Sequence, residues 1–110
     1  MEHRDAFILD VIMEYCEQIM STVKRVGSTG FVSDIDARDA CALRLMQIGE
    51  NANDLSDSFK DKYNQIPWHK ITGLRNIIAH EYGNVDESVL WEIVTEDLPD
   101  LYNSCVEIIK

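Results

Sequence analysis

The sequence predicts an all-α protein, an up-and-down four-helix bundle whose last helix is kinked. Three observations carry the prediction. Apolar residues recur at spacings of three and four over long stretches, no alternating apolar and polar run of useful length appears, and only two prolines and five glycines interrupt 110 residues.

The first helix is expected from about Arg4 to Val26, where Ile8, Ile12, Tyr15, Ile19, Val23 and Val26 step by 4, 3, 4, 4 and 3 and hold one stripe. Gly27 suits the left-handed position just past its end, and Lys24 and Arg25 in the last turn complement the helix dipole. A loop through Gly27-Ser28-Thr29-Gly30 to about Ser33 follows. Ser33 or Asp34 caps the second helix, in which Cys41, Leu45, Ile48, Ala52 and Leu55 step by 4, 3, 4 and 3. The stretch Ser56–Gln65 is polar, with room for a short helical turn. Pro67 sets the first turn of a third helix, Trp68 to about His80, which Gly83-Asn84 ends. Asp86 or a neighbour caps the fourth helix, with Val89, Leu90, Ile93, Val94, Leu98, Leu101, Cys105 and Ile108 inward. Pro99 lacks an N–H and clashes with the carbonyl four residues back, so this helix should kink or restart near Glu96–Leu98. Phe7, Leu9, Val11, Met13, Met20, Ile77 and Ile109 lie off the main stripes, and some of them are expected to meet a partner.

Length limits the chain to a single domain, 1–110, and the apolar share of 45% rules out wholesale disorder. The longest uncharged apolar stretches fall far short of the roughly 20 residues that span a bilayer. The charged first residues begin no secretory signal, and Cys16, Cys41 and Cys105 form no Cys-x-x-Cys motif. Reduced core cysteines and a cytoplasmic location, with no membrane partner, are expected. The net charge of −10 repels nucleic acid over most of the surface. Residues 60–80 depart from that rule: Lys60, Lys62, Lys70 and Arg75 against one acid make this segment +3, so an anionic ligand should approach there.

The same segment leads into Arg75-Asn76-Ile77-Ile78-Ala79-His80-Glu81-Tyr82, which places a guanidinium, an amide, an imidazole and a phenol at a helix end. Arginine is a permanent planar cation suited to phosphate oxygens, and an imidazole can take or give a proton near neutrality. Asn76 and His80 are four apart and share a face, whereas Arg75 and His80 are five apart and diverge by about 140° on a straight helix. They converge if the helix ends or bends at His80, or if a second copy of the chain supplies the complementary group. A capping histidine beside a salt-bridged arginine is the structural alternative. Other constellations carry less. His3, Asp5 and Asp10 match no standard ligand set and read as a solvated terminus, so no metal site is expected. Gly27–Gly30 lacks the Lys-Ser/Thr of a phosphate loop. Trp68 and Trp91, like the methionines, read as core.

Arg75-x4-His80-x-Tyr82 resembles the signature of HepT-type HEPN domains, the partners of minimal nucleotidyltransferases in prokaryotic toxin–antitoxin pairs. Leu45–Glu50, Ile66–Ile71, Val85-Asp86, Leu90–Val94 and Asp97–Pro99 resemble other segments of that family in the same order. The resemblance implies an all-helical homodimer and a metal-independent endoribonuclease acting on RNA without a cofactor, with Arg75 and His80 at the motif positions and Asn76 at the polar position after the arginine. It also implies that Tyr82 accepts AMP from a nucleotidyltransferase antitoxin. Glu81 departs mildly by placing a negative charge beside the site. A two-fold axis near the end of the third helix would gather two His80 and two Arg75 around one cleft, with Gly73 and Ile77 in the interface. The second reading is a non-catalytic partner subunit of a nucleotidyltransferase, in which Arg75 and His80 grip a nucleotide phosphate.

Overall fold

Helix α1, His3–Ser33, is longer than its apolar stripe requires. The computed structural model, which describes all 110 residues, places the expected loop at 27–33 in an extra helical turn. Gly27 does adopt the left-handed φ of 67° that only glycine takes without strain, and the chain kinks there before the helix resumes. Two tertiary contacts hold the added turn. Phe31 is buried with its ring 5.1 Å from that of Trp91, and the Arg38 guanidinium donates to the carbonyls of Phe31 and Val32, which no residue of α1 can satisfy. Lys24 and Arg25 therefore lie before a kink and not in a last turn.

Asp34 rather than Ser33 caps α2, Ile35–Asp54, by accepting from the Ala37 N–H at 3.1 Å. The short α3, Asp57–Lys62, starts at Ser56. Asp5 is not solvated: it is buried and accepts from both the backbone N–H and the hydroxyl of Ser56, at 2.9 and 2.7 Å, pinning the start of α1 to the start of α3. Burial works to raise the Asp5 carboxyl, yet the Ser56 hydrogen bonds and the Arg4 charge hold it below the ordinary carboxylate value. Pro67 then sets up α4, Trp68–Glu81, with the Trp68 indole N–H donating to the Tyr63 carbonyl at 3.1 Å. A single 3-10 turn, Tyr82–Asn84, leads to α5, Glu87–Glu92, capped by Asp86. A π-helical turn, Ile93–Asp97, joins α5 to α6, Leu98–Ile109, so the irregularity expected near Glu96–Leu98 takes the form of a π-turn just before Pro99.

α2 packs between α1 and α4, and α6 lies back along α1, so the four arms are α1, α2, α4 and the composite α5–π–α6. Because α1 is covered by α2 on one side and α6 on another, its buried face is broader than one stripe. Leu9 and Met13 thus belong to the chain's own core and not to a partner surface. Val89, expected inward, is exposed. Trp68 is buried, and Trp91 packs partly buried against the core. All three cysteines are free and fully buried, and burial pushes the thiols of Cys16 and Cys105 up to about 12 and raises that of Cys41. No helix is long and apolar enough to cross a membrane.

Candidate active site

Two helices make the site, and a glycine sets their distance. A Cβ on Gly49 of α2 would stand 2.9 Å from the Arg75 backbone nitrogen and 3.1 Å from the Ile71 carbonyl oxygen, closer than such atoms approach, so only glycine lets α2 and α4 lie this near. The close pass brings the Glu50 carboxylate onto the Arg75 guanidinium as an ion pair. Arg75 also donates to the Asn76 side-chain oxygen at 3.3 Å.

Beside this pair a groove of about 340 Å³ opens between the helices. Gly49, Glu50 and Asn53 line it from α2. His69, Thr72, Gly73, Arg75 and Asn76 line it from α4, and none of the eight side chains is hydrophobic. His69, which stands outside the Arg75–Tyr82 motif, lies in the same groove as Arg75 and Asn76. The helical spacing carried the signal: positions 69, 73, 76 and 80 step by 4, 3 and 4. The contributions of Gly49, Glu50 and Asn53 depend on the register of α2 against α4, which spacing alone does not give.

His80 is exposed one turn beyond Asn76 on that stripe and does not line the groove. The helix spans Trp68–Glu81 and its backbone leaves helical values at Glu81, with φ −131° and ψ 5°, one residue after His80, so Arg75 and His80 stay on one helical segment. Arg75 leans toward α2 while His80 faces open solvent with no hydrogen bond or ion pair. Adding a Cβ to Gly73 meets nothing within 4 Å, and Ile77 next to it is 40% exposed, so this outer face of α4 is bare in the single chain.

Tyr82 lies just past the helix end, half-buried against the core rather than standing free on a rim. Its hydroxyl donates a short hydrogen bond to the Asp39 carboxylate of α2. Burial and that hydrogen bond push the phenol up to about 12. No three His, Cys, Asp or Glu side chains are grouped to hold a metal ion.

On α4's other flank a second cleft of about 330 Å³ runs between α2, α4 and α6. Leu45, Ile48, Ile71, Leu98 and Leu101 form its floor, and Lys70 and Asp97, 3.5 Å apart, bridge its mouth.

The family model described as ribonuclease HepT-like matches residues 12–108. A candidate RNase of Methanocaldococcus jannaschii is 34% identical over 103 residues, covering 92% of this chain and 94% of that protein. A candidate RNase of Caldanaerobacter subterraneus subsp. tengcongensis is 31% identical over 102 residues, covering 93% and 91%. A probable ribonuclease HepT of Thermococcus cleftensis is 32% identical over 99 residues, covering 90% and 88%. No solved structure matches the chain.

Proposed function

Because the chain belongs to the HepT-like ribonuclease family, we propose that it is the toxin of a prokaryotic toxin–antitoxin pair, an endoribonuclease that cuts RNA with Arg75, Asn76 and His80. The observation that carries the reading is the second half of α4, which presents a guanidinium, an amide and an unpartnered imidazole at the end of the single basic segment of an acidic protein. RNA carries its own nucleophile. His80 as base takes the proton of a 2′-hydroxyl, whose oxygen attacks the adjoining phosphorus. The bond to the 5′-oxygen breaks, and that oxygen leaves with a proton from an acid, giving a 2′,3′-cyclic phosphate and a 5′-hydroxyl. Arg75 supports the charge on the phosphate oxygens, and Asn76 holds Arg75 by its side-chain oxygen.

A base and an acid are both needed, and one chain supplies one imidazole at this place. A homodimer joined across the bare outer face of α4, through Gly73 and Ile77, provides the second His80 and brings it within reach of the first copy's Arg75. Control follows from Tyr82. In this reading a nucleotidyltransferase antitoxin transfers AMP to the phenol, whose oxygen attacks the α-phosphorus of ATP as pyrophosphate leaves. Asp39 already accepts the phenol's hydrogen bond and takes its proton as the oxygen attacks. The attached nucleotide adds a bulky anion just past His80, at the end of α4, and repels incoming RNA by like charge.

Cleavage of RNA by the purified protein, with and without EDTA, tests the first part. Activity that persists in EDTA and disappears in His80→Ala is expected. Mass spectrometry of the protein co-expressed with a nucleotidyltransferase tests the second, which fails if Tyr82 peptides carry no AMP while the protein is neutralised. The Glu50–Arg75 pair favours a second reading, in which the chain binds a nucleotide as a non-catalytic subunit, because a guanidinium already held by a carboxylate is less free to follow a reacting phosphate. Binding of ATP without any RNA cleavage supports that alternative.

A further inference from the structure

We infer that the α2–α4 groove seats a nucleotide further along the strand from the scissile phosphate, with Asn53 and His69 holding its base and Lys60 its outer phosphate. The inference rests on the ribonuclease reading above and extends it to residues outside the motif. Three observations support it.

The first is chemistry. The groove's volume of about 340 Å³ falls in the range of small-ligand sites, and no hydrophobic residue lines it. Asn53 is exposed in the groove, with a side chain offering both a donor and an acceptor, the pairing that a base edge demands. His69 presents a flat ring of the kind on which unpaired bases stack. The Thr72 hydroxyl donates to the His69 carbonyl at 3.0 Å, leaving its lone pairs to accept from a ligand.

The second is direction. His69 and His80 lie eleven residues apart on one face of α4, about 16 Å along the axis at 1.5 Å per residue. A strand whose scissile phosphate lies at His80 must therefore continue past Asn76 and Arg75 before it reaches His69.

The third is charge. The Lys60 ammonium donates to the Asn53 carbonyl at 3.4 Å and so stands at the groove's far end. Lys70 is engaged by Asp97 at the other cleft, and Lys62 lies over the Tyr63 ring. The Glu50 carboxylate inside the groove is neutralised by Arg75. The positive end of the path is thus Lys60, and a base seated between Asn53 and His69 places its next phosphate toward that ammonium.

The test uses the full-length protein and a short 2′-deoxy oligonucleotide, which has the phosphates and bases but no 2′-hydroxyl to react. Imidazole resonances of His69 and His80 are followed during its titration. Affinity is measured against salt for wild type, Asn53→Ala, His69→Ala and Lys60→Gln. The His69 resonance should shift on binding, and Asn53→Ala and His69→Ala should each weaken binding at least fivefold. Lys60→Gln should lower the slope of log affinity against log salt by about 0.7, the value for one phosphate contact on a single strand. On a mixed-sequence RNA, Asn53→Ala and His69→Ala should raise KM more than they lower kcat and flatten the base preference at the nucleotide seated in the groove, away from the cut. Binding that shifts His80 alone, with all three variants behaving as wild type, overturns the inference. A His69 shift in a protein that cuts no RNA keeps the groove as a nucleotide site and overturns the ribonuclease reading instead.

Discussion

Two clefts flank α4, nearly equal in volume at about 340 and 330 Å³, and opposite in character. The α2–α4 groove has no hydrophobic lining residue, and the α2–α4–α6 cleft has eight among fourteen. Both draw on α2 and α4, so the difference comes from which faces of the same two helices look into each. Ile71 and Leu74 of α4 face the apolar cleft, while His69, Thr72 and Asn76 face the polar groove. Size therefore says little about where chemistry happens. The apolar cleft is an imperfectly filled part of the core, closed by an ion pair, and the polar groove is a surface that forgoes burial in order to remain available.

The contrast can be broken by exchanging what a substitution costs on each side. The largest effect belongs to the motif residues. His80→Ala and Arg75→Ala should each lower RNA cleavage by about 10²- to 10⁴-fold while melting temperature hardly moves, because both side chains are substantially exposed. Parallel cleavage and thermal-melt measurements check this, and unfolding of either variant would mean that the residues serve the fold. The apolar side should give the inverse result. Leu45 is fully buried on the floor of its cleft, so Leu45→Ala should cost about 2–5 kcal/mol in a denaturant titration and leave cleavage below the melting point close to wild type.

Two glycines sharpen the comparison further. Gly49→Ala forces α2 away from α4 and should cost about 1–3 kcal/mol, with cleavage falling as Arg75 shifts. Gly73→Ala meets nothing within the chain and removes a mid-helix glycine, so it should stabilise the single chain by about 0.5–1 kcal/mol at low concentration, yet weaken self-association in sedimentation. Smallest of all, Lys70→Gln should change stability by no more than about 1 kcal/mol, since the Lys70–Asp97 pair is largely exposed to solvent. A larger loss would show that the mouth of the apolar cleft is held more firmly than an exposed ion pair allows.

What the sequence disclosed follows from which forces are local. α4 is bracketed by Pro67 and Gly83, and the Arg75–Tyr82 motif lies in consecutive residues, so both were legible. The break in regular α-helix before Pro99 was legible for the same reason, since Pro99 acts on the carbonyls just before it, and it takes the form of a π-turn. The helical turn at 28–33 was not, because Gly-Ser-Thr-Gly favours a loop by itself and becomes helical through Phe31 against Trp91 and the Arg38 guanidinium. Leu9 and Met13 were misjudged because one stripe implies one neighbour, whereas α1 has two. In the groove, Asn53 and Glu50 acquire their place from interhelical register, and Asp39 meets Tyr82 across 43 positions of sequence. His69 alone could have been found earlier, from the stripe it shares with Gly73, Asn76 and His80.

The three interior cysteines have a practical consequence. Burial holds the thiols of Cys16 and Cys105 well above the ordinary range, so little of the reactive anion forms at either position at neutral pH. Full burial also denies an alkylating reagent access to the sulfur. Iodoacetamide should therefore label these positions only when a helix detaches, and its uptake over time becomes a clock for opening events. Cys16 on α1 and Cys105 on α6 time the separation of that pair, and Cys41 on α2 times exposure of the helix that carries Gly49. Natural side chains thus provide a built-in chronometer, with no engineered probe, for asking whether the helix pair around the polar groove opens before or together with the rest of the bundle.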